Sequence, residues 1–126
     1  VAARLAGGAD SAVHGALDEG GALVGVAAIV RDGHRKARHR AGIYGMYVAP
    51  EARGRGLGRA LLEALIAHAR SMEGVRRLEL GVTTTNTAAR ALYLAFGFVP
   101  YGIQPDAYRA DGASYDSELM TLSLDD

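Results

Sequence analysis

The segment Arg53-Gly54-Arg55-Gly56-Leu57-Gly58-Arg59 decides how the rest of this 126-residue chain is read. Three glycines at alternate positions let successive backbone N–H groups crowd together and point outward, and a helix begins where they end. Leu57, Leu61, Ala64, Leu65, His68 and Met72 recur at three- and four-residue spacing. Leu62 and Ile66 widen that apolar stripe, and Arg59, Glu63 and Arg70 are left to face outward. His68 on this stripe reads as a packed side chain, not a catalyst. A glycine loop opening a helix sets unpaired amides at the positive end of the helix dipole, which is a seat for phosphate. Arg53, Arg55 and Arg59 add charge suited to a polyphosphate. A P-loop is excluded because no lysine follows the glycines. A dinucleotide fingerprint is excluded too, because its third glycine would fall on Arg59 or Leu61.

Working outward, residues 42–48 upstream read as a strand, and Pro50 closes it by removing a ladder donor. Residues 31–40 hold seven basic or imidazole side chains with no apolar period, the mark of a solvated loop. Before it, residues 12–17 and 23–30 flank Asp18-Glu19-Gly20-Gly21 and predict a β-hairpin. Downstream, Leu78, Leu80 and Val82 alternate with Glu79 and Gly81, the period of a strand with one face against helices. Thr83-Thr84-Thr85-Asn86 supplies capping chemistry for a second helix over residues 87–96, which Gly97 ends. Residues 98–103 and 114–124 are the last strand candidates, and Asp111-Gly112 between them favours a turn.

Composition limits what such a chain does. Its length fits one domain, residues 1–126, and 49% hydrophobic with 22% charged residues is a folding composition. Fourteen basic and fourteen acidic side chains cancel, and the basic loop lacks interleaved aromatics, so no nucleic-acid partner is expected. The absence of cysteine excludes disulfides and a cysteine nucleophile and agrees with a reducing compartment, so a cytoplasmic location is expected. No apolar run approaches the roughly 20 residues of a membrane helix, and no membrane partner is expected.

Arg53-x-x-Gly56-x-Gly58, entered from a strand ending Tyr47-Val48 and leaving into an amphipathic helix, resembles the pyrophosphate-binding motif of the GNAT superfamily of N-acetyltransferases. The likeness continues through Leu78-Glu79-Leu80, Asn86, and Ala91-Leu92-Tyr93 with Gly97-Phe98, and covers residues 23–124. It implies an α/β (α+β) fold: a mixed, mostly antiparallel central sheet with splayed fourth and fifth strands and helices packed on it. It also implies acetyl-coenzyme A as cosubstrate, an amine as acceptor and no metal. By that likeness the pantetheine arm lies between the splayed strands, along the backbone of Met46, Tyr47 and Val48. The pyrophosphate then sits on the amides of Gly54, Arg55, Gly56, Leu57, Gly58 and Arg59. Asn86 orients the cofactor arm and Tyr93 protonates the departing thiolate. Seven residues of separation put Asn86 and Tyr93 on nearly one helix face, so both can meet one ligand. Asn86 also reads as an N-cap. Tyr93 reads as an acid more than as core, since Leu92 and Phe96 flank it and provide packing.

Two departures from the family pattern stand out. Members with an obvious general base carry a carboxylate early in the fourth strand or late in the fifth, and both matching positions here, Gly42 and Gly81, are glycine. Glu79, on the strand face of Gly81, becomes the catalytic candidate, acting through water; Tyr44, Asp116 and Glu118 are weaker candidates on the expected acceptor side. Only about 11 residues precede the hairpin, where the family places a strand and the helices that wall the acceptor pocket. Because the chain starts at Val1, either that wall is short, or a partner subunit in a homodimer supplies it, or the sequence is incomplete. A catalytically silent acyl-coenzyme A sensor is the alternative, and the presence of Asn86 and Tyr93 weighs against it. A site without a strong base favours an acceptor that is already neutral, such as an α-amine, over a lysine side chain.

Overall fold

The computed structural model describes residues 2–125. Its strands are β1 (Ala2–Gly7), β2 (Ser11–Leu17), β3 (Leu23–Arg31), β4 (Arg40–Val48), β5 (Arg77–Thr83), β6 (Val99–Ala110) and β7 (Ala113–Ser123). Two helices, α1 (Leu57–Ser71) and α2 (Thr87–Ala95), follow β4 and β5. The strands form one sheet in the order β1-β2-β3-β4-β5-β7-β6. Every neighbouring pair is antiparallel except β4 and β5, which are parallel. The mixed, mostly antiparallel α+β sheet expected from the sequence is therefore present.

The parallel pair creates the largest irregularity of the sheet, an opening between two neighbouring strands. β4 and β5 are in register only at Arg40↔Arg77, Ala41↔Leu78 and Gly42↔Glu79. Past Gly42, β4 stays with β3 and β5 stays with β7, so the fourth and fifth strands splay. A bulge marks the departure. Between Val26↔Tyr47 and Ala28↔Tyr44 the register shifts, setting Gly45 and Met46 against Ala27 alone, with Gly45 at φ +61°. An extra residue in one strand bends it and increases its twist, and a glycine adopts the left-handed conformation without a Cβ clash.

One face of the sheet carries the core. Alternation sends Ile29 of β3, Ile43 of β4, Leu78, Leu80 and Val82 of β5, and Met120 of β7 into a single buried cluster. Leu61, Leu62, Leu65 and Ala69 form the buried stripe of α1, so its centre lies one residue to the side of the predicted one. Leu57, Ala64 and His68 flank it, half-buried. Each such leucine contributes about 2 kcal/mol by leaving water.

Several expectations change. β1 was not anticipated: residues 2–7 pair with β2, with Gly7 at φ +138° and the Gly8 amide donating to Ser11 O at 2.9 Å in the turn. β6 runs to Ala110, well past residue 103, and Asp111 and Gly112, at φ +52° and +77°, make the hairpin turn to β7. The basic segment 31–40 is less solvated than its composition suggests. It contains a short 3-10 turn at Arg35–Ala37, and Arg38 and Arg40 pair with Asp10 and Asp32 at 2.8 and 3.1 Å.

Candidate active site

A cleft of about 790 Å³ opens between the splayed ends of β4 and β5. Its walls are residues 45–48 of β4, residues 80–83 of β5, the glycine loop, Asn86 at the start of α2, and Ala89, Leu92 and Tyr93 within it. The glycine loop lies at one end. Gly54 and Gly56 stand at φ +81° and +77°, and no atom lies within 4 Å of where a Cβ would project from either. Gly56 is the N-cap of α1 and supplies no side-chain cap, so the first amide of the helix to find an acceptor is Ala60, on Gly56 O at 3.0 Å. The amides of residues 54–59 have no acceptor among the described residues, an array that fits a polyphosphate. Arg53 lines the cleft, with its Nε donating to Val48 O at 2.9 Å and its guanidinium 5.7 Å from the Tyr47 ring centroid. Arg55 and Arg59 are exposed and do not line the cleft; Arg59 lies 4.9 Å over the Phe96 ring. The predicted ring of three arginines is thus one arginine at the cleft and two beside it.

Asn86 caps α2 as expected, its Oδ1 accepting from the Ala89 amide at 3.2 Å. Its Nδ2 remains for a ligand in the cleft. Tyr93 overturns the packing argument made from sequence: it is the one buried residue of α2, 6% exposed, with its ring edge-on to Phe98 at 5.9 Å. Leu92 and Phe96 are only partly buried. One side chain therefore packs with its ring and reaches the cleft with its hydroxyl, which donates to Met46 Sδ at 3.2 Å. Burial raises its pKa above the ordinary tyrosine value, so the phenol keeps its proton throughout the neutral range.

A second cleft, about 580 Å³, lies on the sheet face away from the helices. It meets the first at Ile43, Gly45, Leu80, Gly81 and Tyr108, which line both. Glu79 is here, but it is not free. Its Oε1 accepts from Arg40 Nη1 at 3.0 Å and its Oε2 from the Tyr101 hydroxyl at 3.2 Å, while Arg40 also holds Asp32. Each oxygen accepts one hydrogen bond and keeps a second lone pair, so the carboxylate is held in place without being closed to a proton. Tyr44 lines this cleft as expected. Asp116 and Glu118 do not: Asp116 accepts from the Asp106 amide at 2.9 Å, and Glu118 turns to the helix side, where Arg90 of α2 donates to it at 2.6 Å. Sequence reasoning missed Tyr101, Tyr108 and Ser117, which also line the second cleft. Only the β5–β7–β6 register brings them there. None of the three left a local signal, and Ser117 is one of three serines in its strand.

The geometry has relatives. Residues 4–98 match the model of the acetyltransferase (GNAT) family. The chain belongs to the GNAT family. It is 44% identical over 94 residues to N-alpha-acetyltransferase RimI of Mycobacterium tuberculosis, covering 75% of this chain and 56% of that protein. It is 35% identical over 83 residues to L-amino acid N-acyltransferase MnaT of Escherichia coli, 66% of this chain and 48% of that one. The chain thus spans about half the length of these curated relatives. Among solved structures, Salmonella typhimurium yncA with its cofactor acetyl-CoA superposes with a TM-score of 0.83 at 28% identity, covering 94% of this GNAT chain and 67% of that one. No helix among the described residues is long and apolar enough to cross a membrane, and no described group of three or more His, Asp or Glu side chains is placed to hold a metal ion.

Proposed function

We propose that this GNAT chain transfers the acetyl group of acetyl-coenzyme A to a primary α-amine. The observation that carries the reading is the meeting of two clefts through the sheet at the β4–β5 splay. One is floored by free amides and fits a polyphosphate with its arm; the other is open from the opposite face and fits an acceptor. Acetyl-coenzyme A supplies an activated thioester when bound. Gly54, Gly56 and Gly58 would hold its pyrophosphate by their amides, the edge of β4 that β5 leaves unpaired at Met46, Tyr47 and Val48 would pair with its arm, and Asn86 would orient it. Tyr93 donates its hydroxyl hydrogen to the sulfur that departs as the acceptor nitrogen bonds to the acetyl carbon. The soft sulfur of Met46, which that hydroxyl contacts now, is the same kind of acceptor. Tyr93 recovers its proton from water, and the proton lost by the amine leaves through the second cleft.

The acceptor follows from what the second cleft lacks. Both matching base positions are glycine, and Glu79 is held by Arg40 and Tyr101. An amine attacks only when neutral. At pH 7.5 a lysine side chain of pKa near 10.4 costs about 4 kcal/mol to deprotonate, and an α-amine near 7.7 to 8 costs under about 1 kcal/mol. The test is thiol release from acetyl-coenzyme A with matched peptides that present either a free N-terminus or a single lysine. Higher kcat/KM on the α-amine at pH 7.5 is expected, rising with the acceptor's own ionisation. Preference for lysine sinks the acceptor assignment, and no thiol release from any amine sinks the transferase reading.

A further inference from the structure

The two glycines that stand where a base would be are not followed by empty space. Gly42 and Gly81 lie on the same sheet face of β4 and β5, at the point where the strands part. A Cβ added to Gly42 would lie 2.6 Å from the hydroxyl oxygen of Tyr44, and one added to Gly81 would lie 2.5 Å from Ser117 Oγ. Each glycine is therefore a socket in which a hydroxyl from another residue rests. Neither hydroxyl makes a hydrogen bond to any described residue. For Tyr44, an exposed side chain, that is ordinary. For Ser117 it is not, because the residue is 2% exposed and a buried hydroxyl normally finds a partner. Its Oγ is also not among the sealed polar atoms without a partner, a set that among the described residues holds only His14 Nε2. The group is enclosed by protein yet open to the second cleft, beside Gly81, which faces the first cleft as well.

We infer that Ser117 Oγ, with the Tyr44 hydroxyl across the splay, binds the acceptor amine by accepting its N–H groups. This rests on the transferase reading above. A neutral primary amine presents one lone pair and two N–H donors. Two hydroxyls that accept those donors leave the lone pair aimed at the thioester in the first cleft. A hydroxyl accepts such a bond without being ionised, so the arrangement orients a neutral amine with its lone pair free. No proton passes to Ser117. The nitrogen's proton goes to water in the open cleft.

The experiment compares Ser117→Ala with wild type on a peptide α-amine and on its N-methyl counterpart, which has lost one N–H. Ser117→Ala is expected to lower kcat/KM on the primary amine about three- to tenfold, the loss of one neutral hydrogen bond, and to leave acetyl-coenzyme A affinity by calorimetry unchanged. Discrimination between primary and N-methyl acceptor should shrink by a similar factor, which a merely structural role would not produce. Gly81→Ala, which drives the hydroxyl from its socket without deleting it, should reproduce the effect, and Tyr44→Phe should give a second, separate loss. Turnover in Ser117→Ala equal to wild type on the primary amine overturns this assignment alone. So does a loss shared equally with cofactor affinity or with the N-methyl acceptor. Absence of thiol release by the wild type overturns it together with the transferase reading.

Discussion

The two clefts share the diverging edges of β4 and β5, yet they are built from opposite kinds of chemistry. The first is a backbone site. Its glycine loop offers amides from consecutive residues, Asn86 and Tyr93 stand on one helix, and a local run of sequence specifies nearly all of it. The second is a side-chain site, with Tyr44, Glu79, Tyr101 and Ser117 drawn from four different strands and its charges already paired among themselves. A backbone site accepts whatever side chains surround it so long as glycine keeps the approach open. A side-chain site changes its ligand with each substitution. The same scaffold can thus keep one ligand fixed and vary the other.

The largest effect is expected where the backbone site is obstructed. Gly56→Asp should reduce affinity for acetyl-coenzyme A by about a hundredfold or more, because a carboxylate then faces the pyrophosphate at close range. Gly56→Ala separates the causes. Nothing lies within 4 Å of the added Cβ, so its penalty is the left-handed φ of +77° and whatever the Cβ takes from the phosphate approach. Calorimetry showing equal affinities for wild type and Gly56→Asp would break the assignment of this cleft. Next in size is Tyr93→Phe, which should lower kcat roughly a hundredfold with cofactor affinity nearly intact. The ring contact with Phe98 survives this change, so lost turnover reports the hydroxyl and not the core. Equal losses in binding and turnover would make Tyr93 a packing residue only.

The contrast between the sites also explains what was legible in the sequence. Glycine spacing, a 3.6-residue period and the Asn86 cap are local, and each recovers an element of the first cleft. The splay follows from residues 42–48 and 77–83 only once their likeness to a known pattern is granted. β1 escaped notice because Ala2-Ala3-Arg4-Leu5-Ala6-Gly7 has no β-branched residue and no alternation; it is a strand because β2 offers an edge to pair with. Tyr93 was misjudged in one respect, since its neighbours in sequence are not its neighbours in the core. Ser117 was invisible because its meaning is a distance to Gly81, two strands adjacent in space and 36 positions apart in number.

Glu79 gives a smaller effect that sharpens the comparison from the other side. Glu79→Gln keeps an acceptor for Tyr101 and removes the ion pair with Arg40, a partly exposed pair of small energetic weight. Less than about a threefold change in kcat/KM is expected, with no ionisation lost from the pH profile. Loss of a distinct ionisation near neutrality would restore Glu79 as a water-relayed base.

That pH profile is readable only if the fold itself does not titrate in the same range, and one part of the molecule outside both clefts does. His14 of β2 is buried, its Nε2 has no partner, and its ring meets that of His68 on α1 edge-on at 5.3 Å. Burial lowers the pKa of His14 first, then the neighbouring His68 and Arg4; burial and Arg4 lower that of His68. Both imidazoles are therefore neutral in the folded chain at a pH where the unfolded chain, with an ordinary value near 6.5, has begun to bind protons. The unfolded state then holds more protons, so stability falls as pH drops below about 6.5 and levels off below the folded pKa. The paired carboxylates Asp10 and Asp32, both held below their ordinary value, contribute only at more acid pH. His14→Phe should flatten the decline in urea midpoint between pH 7 and pH 5 while leaving unchanged the rise of kcat/KM with acceptor ionisation. If the midpoint declines as steeply in the variant as in the wild type, the acid sensitivity lies elsewhere. If the rise of kcat/KM moves as well, the histidine pair is coupled to the second cleft and the separation of fold from site is lost.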